Sequence, residues 1–341
     1  MDAPSAMPNS LQPMTVVQVV DLTFRVYREH FIPFIGLVAV ITVPLTIITL
    51  IAVPPTPTTF NPASASSVGF TLPPEFWINI AFTLILGFIQ LVLVNGLITY
   101  ITSEFHLGRK VGLGEALTAG ISRLGTLALG IFYFGLLFIP ALFILGALTV
   151  LCGLVVFTLP VVLYLGIALY FFIVPVLMLE NVGASFGISR ALALGKARFW
   201  RALGLFILIY IITLIITIVL GVVVGFVTVG TSQPGSLVDP GFVTLTTIAQ
   251  TIVNILIIPI LPIAFTIMYY DTRVRLEGLD IALAAVGTPD PSPADVESPR
   301  PTEPILAGRD IGNIALLAVG VIGVTLAFGA LGMGLTGLLL Q

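Results

Sequence analysis

Seven long apolar runs leave this chain few ways to fold: residues 31–53, 77–101, 125–148, 150–178, 202–229, 243–269 and 312–340. Each reaches the ~20 residues that an α-helix needs to cross the hydrocarbon of a bilayer. None carries a charged residue in its middle, and helices buried in a soluble core rarely run so long without one. Composition agrees, at 58% apolar and 9% charged residues with a mean hydropathy of +1.17, against about 25% charged in a soluble domain. The fold class expected is all-α: a polytopic membrane protein of about seven transmembrane helices.

The basic residues orient it. All thirteen Lys and Arg fall on alternate connections. Arg25 and Arg28 precede the first run, and Arg109, Lys110 and Arg123 lie between the second and third. Arg190, Lys196, Arg198 and Arg201 lie between the fourth and fifth, and Arg273, Arg275, Arg300 and Arg309 between the sixth and seventh. The other connections (54–76, a turn at 149, and 230–242) hold no basic residue, only Glu75 and Asp239. Basic loops are retained in the cytoplasm during insertion, so the N-terminus is expected inside and the C-terminus outside. The opening MDAPSAMPNSLQPM lacks the basic and apolar regions of a signal peptide, which leaves the first run to act as the insertion signal.

The runs group. Residues 1–14 read as a disordered N-terminus, 15–283 as a six-span body, 284–310 as a Pro-rich cytoplasmic linker and 311–341 as a C-terminal transmembrane helix. Within the body, Arg28–Leu37 aligns with Lys196–Leu205 at a spacing of 168 residues, and Ile121–Gly130 aligns 75 residues before the second of these. This pattern suggests a three-fold internal repeat (about 15–101, 111–179 and 184–270), each unit an interfacial amphipathic helix leading into two spans. The first lead-in is the clearest: Val16, Val19, Val20, Phe24, Tyr27 and Phe31 share one helical face, with Gln18, Asp21, Arg25 and Arg28 opposite. Asp21 and Arg25 stand four apart and can pair. Residues 287–308 contain six prolines and alternating charge, and read as flexible.

Little here supports catalysis. A lone Cys152 excludes an intrachain disulfide or a cysteine metal cage. His30 and His106 lack the convergent ligands a metal needs, and no nucleophile-elbow, phosphate-loop or zinc-protease motif occurs. No enzyme activity, cofactor, metal or nucleic-acid partner is expected. What stands out within the spans is polar but neutral. Gln90 and Asn95 on the second run, with Thr247, Gln250, Thr251 and Asn254 on the sixth, are candidates for inter-helix hydrogen bonds or for a polar path. Arg190, Lys196, Arg198, Arg201, Arg273 and Arg275 form a candidate headgroup-binding or docking cluster. Gly320, Gly323, Ala327, Ala330, Gly334 and Gly337 recur at steps of three and four on the last run. Such a small-residue seam lets helix backbones approach closely. It could meet the body, a second copy or another membrane protein.

Three segments also carry a family resemblance. Val20–Pro33 (VDLTFRVYREHFIP) resembles the opening of the membrane domain associated with bacterial glycerophosphoryl diester phosphodiesterases. Val174–Gly183 with Arg190–Arg201 is similar to that family's central cytoplasmic loop, and Met268–Asp280 (MYYDTRVRLEGLD) is the most specific match. The resemblance covers the membrane body alone, since the chain has no room for the catalytic barrel that some members carry. It implies a stand-alone multi-pass body in the bacterial inner membrane and does not imply hydrolysis. Two roles follow as expectations: a scaffold or accessory subunit organising lipid or partner proteins, or a small-solute or lipid permease with its path near Gln90, Asn95, Gln250 and Asn254.

Overall fold

A computed structural model describes residues 12–52, 74–109, 112–152, 155–231, 240–302 and 304–339. It is 86% helical, with no strand among the described residues. The helices are α1 (Val16–Glu29), α2 (Phe31–Ala52), α3 (Pro74–His106), α4 (Leu113–Cys152), α5 (Val155–Leu179) and α6 (Ala184–Ala197). They continue with α7 (Phe199–Thr231), α8 (Pro240–Ile257), α9 (Ile260–Glu277), α10 (Leu279–Val286) and α11 (Gly308–Leu339). Among the described residues, six segments are long and apolar enough to cross a membrane, consistent with an all-α polytopic membrane protein. The seventh expected span is the 32-residue helix α11. It is not among those six, and its side chains from 324 onward lie outside the described set. The expected outer loops fall largely on residues 53–73 and 232–239, also outside it. Helix α4 runs on to Cys152 and α5 begins at Val155, past the turn expected at 149.

The chain divides into two compact units, Met1–Leu124 with Gly204–Asp271, and Gly125–Leu203 with Thr272–Gln341. In the first unit α1 ends at His30, where φ −116° and ψ 35° leave the helical region. Pro33 explains the stop, because it cannot donate to the carbonyl of Glu29 and its ring crowds that carbonyl. Thr15 and Gln18 cap the start of α1 reciprocally, and Arg25 meets Asp21 at 3.0 Å on the exposed face. The sixth run, expected as one span, is broken into α8 and α9 by Pro259 and Pro262, each of which removes one helical donor. The break leaves the carbonyl of Leu256 near its end, and it accepts the hydroxyl of Tyr27 at 2.7 Å. Burial pushes the Tyr27 hydroxyl up to about 12, so it stays a donor. Around this joint Val19, Phe34, Leu37, Val38, Leu97, Ile98, Ile263 and Tyr270 are fully enclosed or nearly so.

The second unit is built on α5. Tyr164, Ala168 and Phe199 form its buried centre, flanked by Leu192 of α6 and by Ile314 and Leu317 of α11. Helix α6 breaks at Arg198 (φ −128°, ψ 29°), 168 residues after the break at His30 and in the register of the sequence alignment. The middle lead-in differs: α4 is continuous through Arg123, with no helix break at the aligned position. Nor does α6 match an amphipathic surface helix. Its enclosed residues include Gly187, Ala191, Gly195, Arg190 and Lys196, because one face lies directly on α5. A Cβ added at Gly195 would collide with the carbonyl of Ala168, and one at Gly187 with Leu177.

The Pro-rich segment 284–310 departs most from expectation. It begins with the end of α10, makes a 3-10 turn at Pro293–Asp295 capped by Ser292, and then has neither helix nor strand over 296–302 and 304–307 before α11. Its described residues hydrogen-bond back to the helices of the second unit. Proline removes N–H donors but leaves every carbonyl free to accept. The carbonyls of Pro299, Pro304 and Ile305 receive bonds from Arg190 and Lys196.

Candidate functional site

In the first unit a groove of about 490 Å³ opens between α2, α3 and α8. Thr46 and Thr49 come from α2, Thr83, Gly87 and Gln90 from α3, and Thr247, Gln250, Thr251 and Asn254 from α8. With α8 and α9 taken together as one span, these residues lie at the middle of their spans or toward residues 53–73 and 232–239, and the remainder of each span holds the packed apolar centre. No charged residue lines the groove. Gln90 donates to the buried Thr42 hydroxyl at 3.3 Å, and Thr251 donates to the carbonyl of Thr247 at 2.7 Å. Gln250 donates to Asn254 at 3.3 Å, both side chains being exposed. Among the described residues neither amide has a further partner in the chain, which leaves the Gln250 carbonyl and the Asn254 amino group open. Of the six residues proposed from sequence for a polar path, five line this groove. The sixth, Asn95, donates instead to the carbonyl of Leu91 in its own helix, at 2.8 Å.

The second unit holds most of the candidate basic cluster, in three different settings. Arg190 Nε lies 2.8 Å from Glu180 and its Nη2 lies 2.6 Å from Glu277. Arg273 meets Glu277 at 2.8 Å and Glu180 at 3.4 Å, and Ser298 donates to Glu180. Two guanidinium groups and two carboxylates thus alternate in a buried ring, each charge facing two of opposite sign. Lys196 is equally enclosed. Its three N–H donors are matched by Pro304 O, Ile305 O and Asp310 Oδ2 at 2.9, 3.1 and 3.0 Å. Asp310 also accepts from the Tyr164 hydroxyl at 2.7 Å and from the Ala307 amide at 2.8 Å. Burial alone would raise the Asp310 carboxyl, but the Ala307, Tyr164 and Lys196 hydrogen bonds outweigh it and hold the group below its ordinary value. That contribution to docking α11 is fully present above the usual carboxylate range near pH ~4 and is lost as pH falls below it. Arg198 and Arg201 line a separate pocket, and Arg275 is exposed.

The last candidate, the seam, is half described. Gly320 and Gly323 are exposed, and no described atom stands within 4 Å of where their Cβ atoms would be. Ala327, Ala330, Gly334 and Gly337 fall among side chains outside the described set.

Comparisons of the chain with protein-family models, curated proteins and solved structures give no match. The chemistry must therefore be read from these residues. Among the described residues no group of His, Cys, Asp and Glu converges as a metal site would require. Two features had a signal in the sequence that pattern reading passed over. Gly187, Ala191 and Gly195 recur at intervals of four on α6, the spacing of a close helix contact. Asp310, at the start of α11, is the buried counter-charge of Lys196, an acid that stands just before the apolar run 312–340.

Proposed function

We propose that this chain is a non-catalytic multi-pass membrane protein that binds a small, neutral, polar solute in the groove between α2, α3 and α8, as the binding stage of a carrier. What supports it is the pair Gln250 and Asn254. Polar amides within a span cost several kcal/mol if left in hydrocarbon without partners, and this pair keeps donors and acceptors open into a groove large enough for a small ligand. A lining of amides and hydroxyls without a charge suits a polyol or an amide better than an ion. The packed apolar half below closes one end, which suits alternating access better than an open channel.

Full-length protein reconstituted in vesicles should take up radiolabelled glycerol, erythritol or urea faster than protein-free vesicles. Gln250→Leu and Asn254→Leu should each slow uptake about tenfold, the weight of a lost buried hydrogen bond or two. Asn95→Leu, outside the groove, should leave it unchanged. Uptake at the protein-free rate for all three solutes, or unaltered by the amide variants, overturns the reading. A second reading, a scaffold acting through α11, is favoured by the open face at Gly320 and Gly323. It is supported if the same vesicles show no uptake but contain an oligomer that Gly323→Leu disperses.

The resemblance to the diesterase-associated membrane domain is compatible with both readings, and it supports placement in the bacterial inner membrane. The alternation of basic residues supports an internal N-terminus and an external C-terminus, so the groove would open outward.

A further inference from the structure

The second unit has a pocket lined by basic residues. It is a cavity of about 390 Å³ at the break between α6 and α7, closed on another side by the start of α11. Lys196, Arg198, Arg201 and Arg309 line it, together with Trp200 and Asn313, and no acidic residue does. Elsewhere in this unit buried cations are matched one for one: Arg190 and Arg273 with Glu180 and Glu277, and Lys196 with Asp310. Here three guanidinium groups line one cavity whose lining includes no carboxylate. Asp310 accepts from Tyr164, Lys196 and Ala307, and stands 4.0 Å from Arg309 Nε, beyond hydrogen-bond length. A second observation points the same way: Arg198 Nε is buried with no hydrogen-bond partner. A buried N–H of a permanently charged group needs an acceptor. Trp200 anchors one wall by donating its indole N–H to Asn313 at 2.8 Å.

We infer that this pocket binds a phosphate group, held by Arg198, Arg201 and Arg309. Planar guanidinium forks match phosphate oxygens in pairs. The pocket lies where two long apolar helices begin, and its half-exposed tryptophan is of the type that sits at the headgroup level. The phosphate can be that of an anionic phospholipid headgroup or of a small soluble phosphate. This site is separate from the polar groove of the first unit, and its test does not depend on any solute being carried there.

The probes are dioctanoyl phosphatidylglycerol, dioctanoylglycerol lacking the phosphate, inorganic phosphate and dimethyl phosphate, each titrated by calorimetry onto full-length protein in detergent. Phosphatidylglycerol is expected to bind and dioctanoylglycerol not. Arg198→Gln and Arg309→Gln should each weaken binding about tenfold or more, as expected for a lost charge-assisted hydrogen bond. Arg275→Gln, an exposed arginine outside the pocket, should leave it unchanged. Binding of inorganic or dimethyl phosphate as tight as that of the lipid assigns the site to soluble phosphates; lipid binding alone assigns it to headgroups. If Arg198→Gln does not fold, the half-exposed Arg309 still gives the answer. No binding of any phosphate probe, or equal binding by wild type, Arg198→Gln and Arg309→Gln, overturns the inference.

Discussion

Glu180→Gln is expected to destabilise the protein by about 3–5 kcal/mol, the range for removing one partner of a buried charge network. Glu180 has no exposed surface, and it accepts from Arg190, Arg273 and Ser298. The amide fills the same space but carries no charge. Of the two carboxylates in the ring only Glu277 would then remain charged, with an amide N–H turned toward one of the guanidinium groups. The cost comes from stranding those charges, more than from the net worth of the pairs. The comparison is Arg25→Gln, which breaks the pair with Asp21. Both side chains there are more than half exposed, and such a pair is worth about 0.5 kcal/mol or less. Thermal or urea unfolding in detergent, followed by helical circular dichroism, measures both. Equal small losses would mean that the ring around Glu180 is hydrated and not structural.

Gly195→Val should be comparably damaging for a different reason. The added Cβ would meet the backbone carbonyl of Ala168, which cannot rotate away as a side chain could. Helix α6 must then move off α5, carrying Lys196 away from Asp310 and the carbonyls of Pro304 and Ile305. Overpacking costs about 1–3 kcal/mol, and the disturbed ion pair adds to it. Gly204→Ala gives the opposite sign. Nothing lies within 4 Å of a Cβ there, and alanine in a helix interior is favoured over glycine by roughly 1 kcal/mol. Unfolding midpoints of the two variants on either side of wild type match this packing. Gly195→Val at the wild-type midpoint would mean that α5 and α6 are not in contact.

What could be read in advance follows from which forces are local. Helix and span come from runs of apolar residues, so α2, α3, α5, α7 and the α8–α9 pair were legible, as was the polar lining that Gln90, Gln250 and Asn254 supply. The stop of α1 at Pro33 is likewise chemistry of neighbouring residues. The hydrogen bonds made by the segment 287–308 were not legible, because their donors, Arg190 and Lys196, lie more than a hundred residues away in the sequence. Asn95 was misplaced for want of a phase: its position on α3 turns it to its own helix's carbonyl. Helix α6 was read mostly by analogy with the other lead-in helices, when its informative residues were the small ones that let α5 come close.

The claim that most needs testing is that the groove is wet and receptive, with Gln250 facing neither lipid nor a packed neighbour. Single cysteines placed at Gln250 and at Ile252, with Cys152 replaced by serine, can be exposed to a water-soluble maleimide in opened membranes. The thiol reacts as thiolate, which forms only where water reaches it. Both positions are exposed on α8, but Ile252 is not among the groove residues. Gln250→Cys is predicted to react rapidly, and more slowly when erythritol is present. Ile252→Cys, in hydrocarbon, should react slowly with or without it. Equal reactivity at the two positions, or no protection by glycerol, erythritol or urea, would contradict a solute site between α2, α3 and α8.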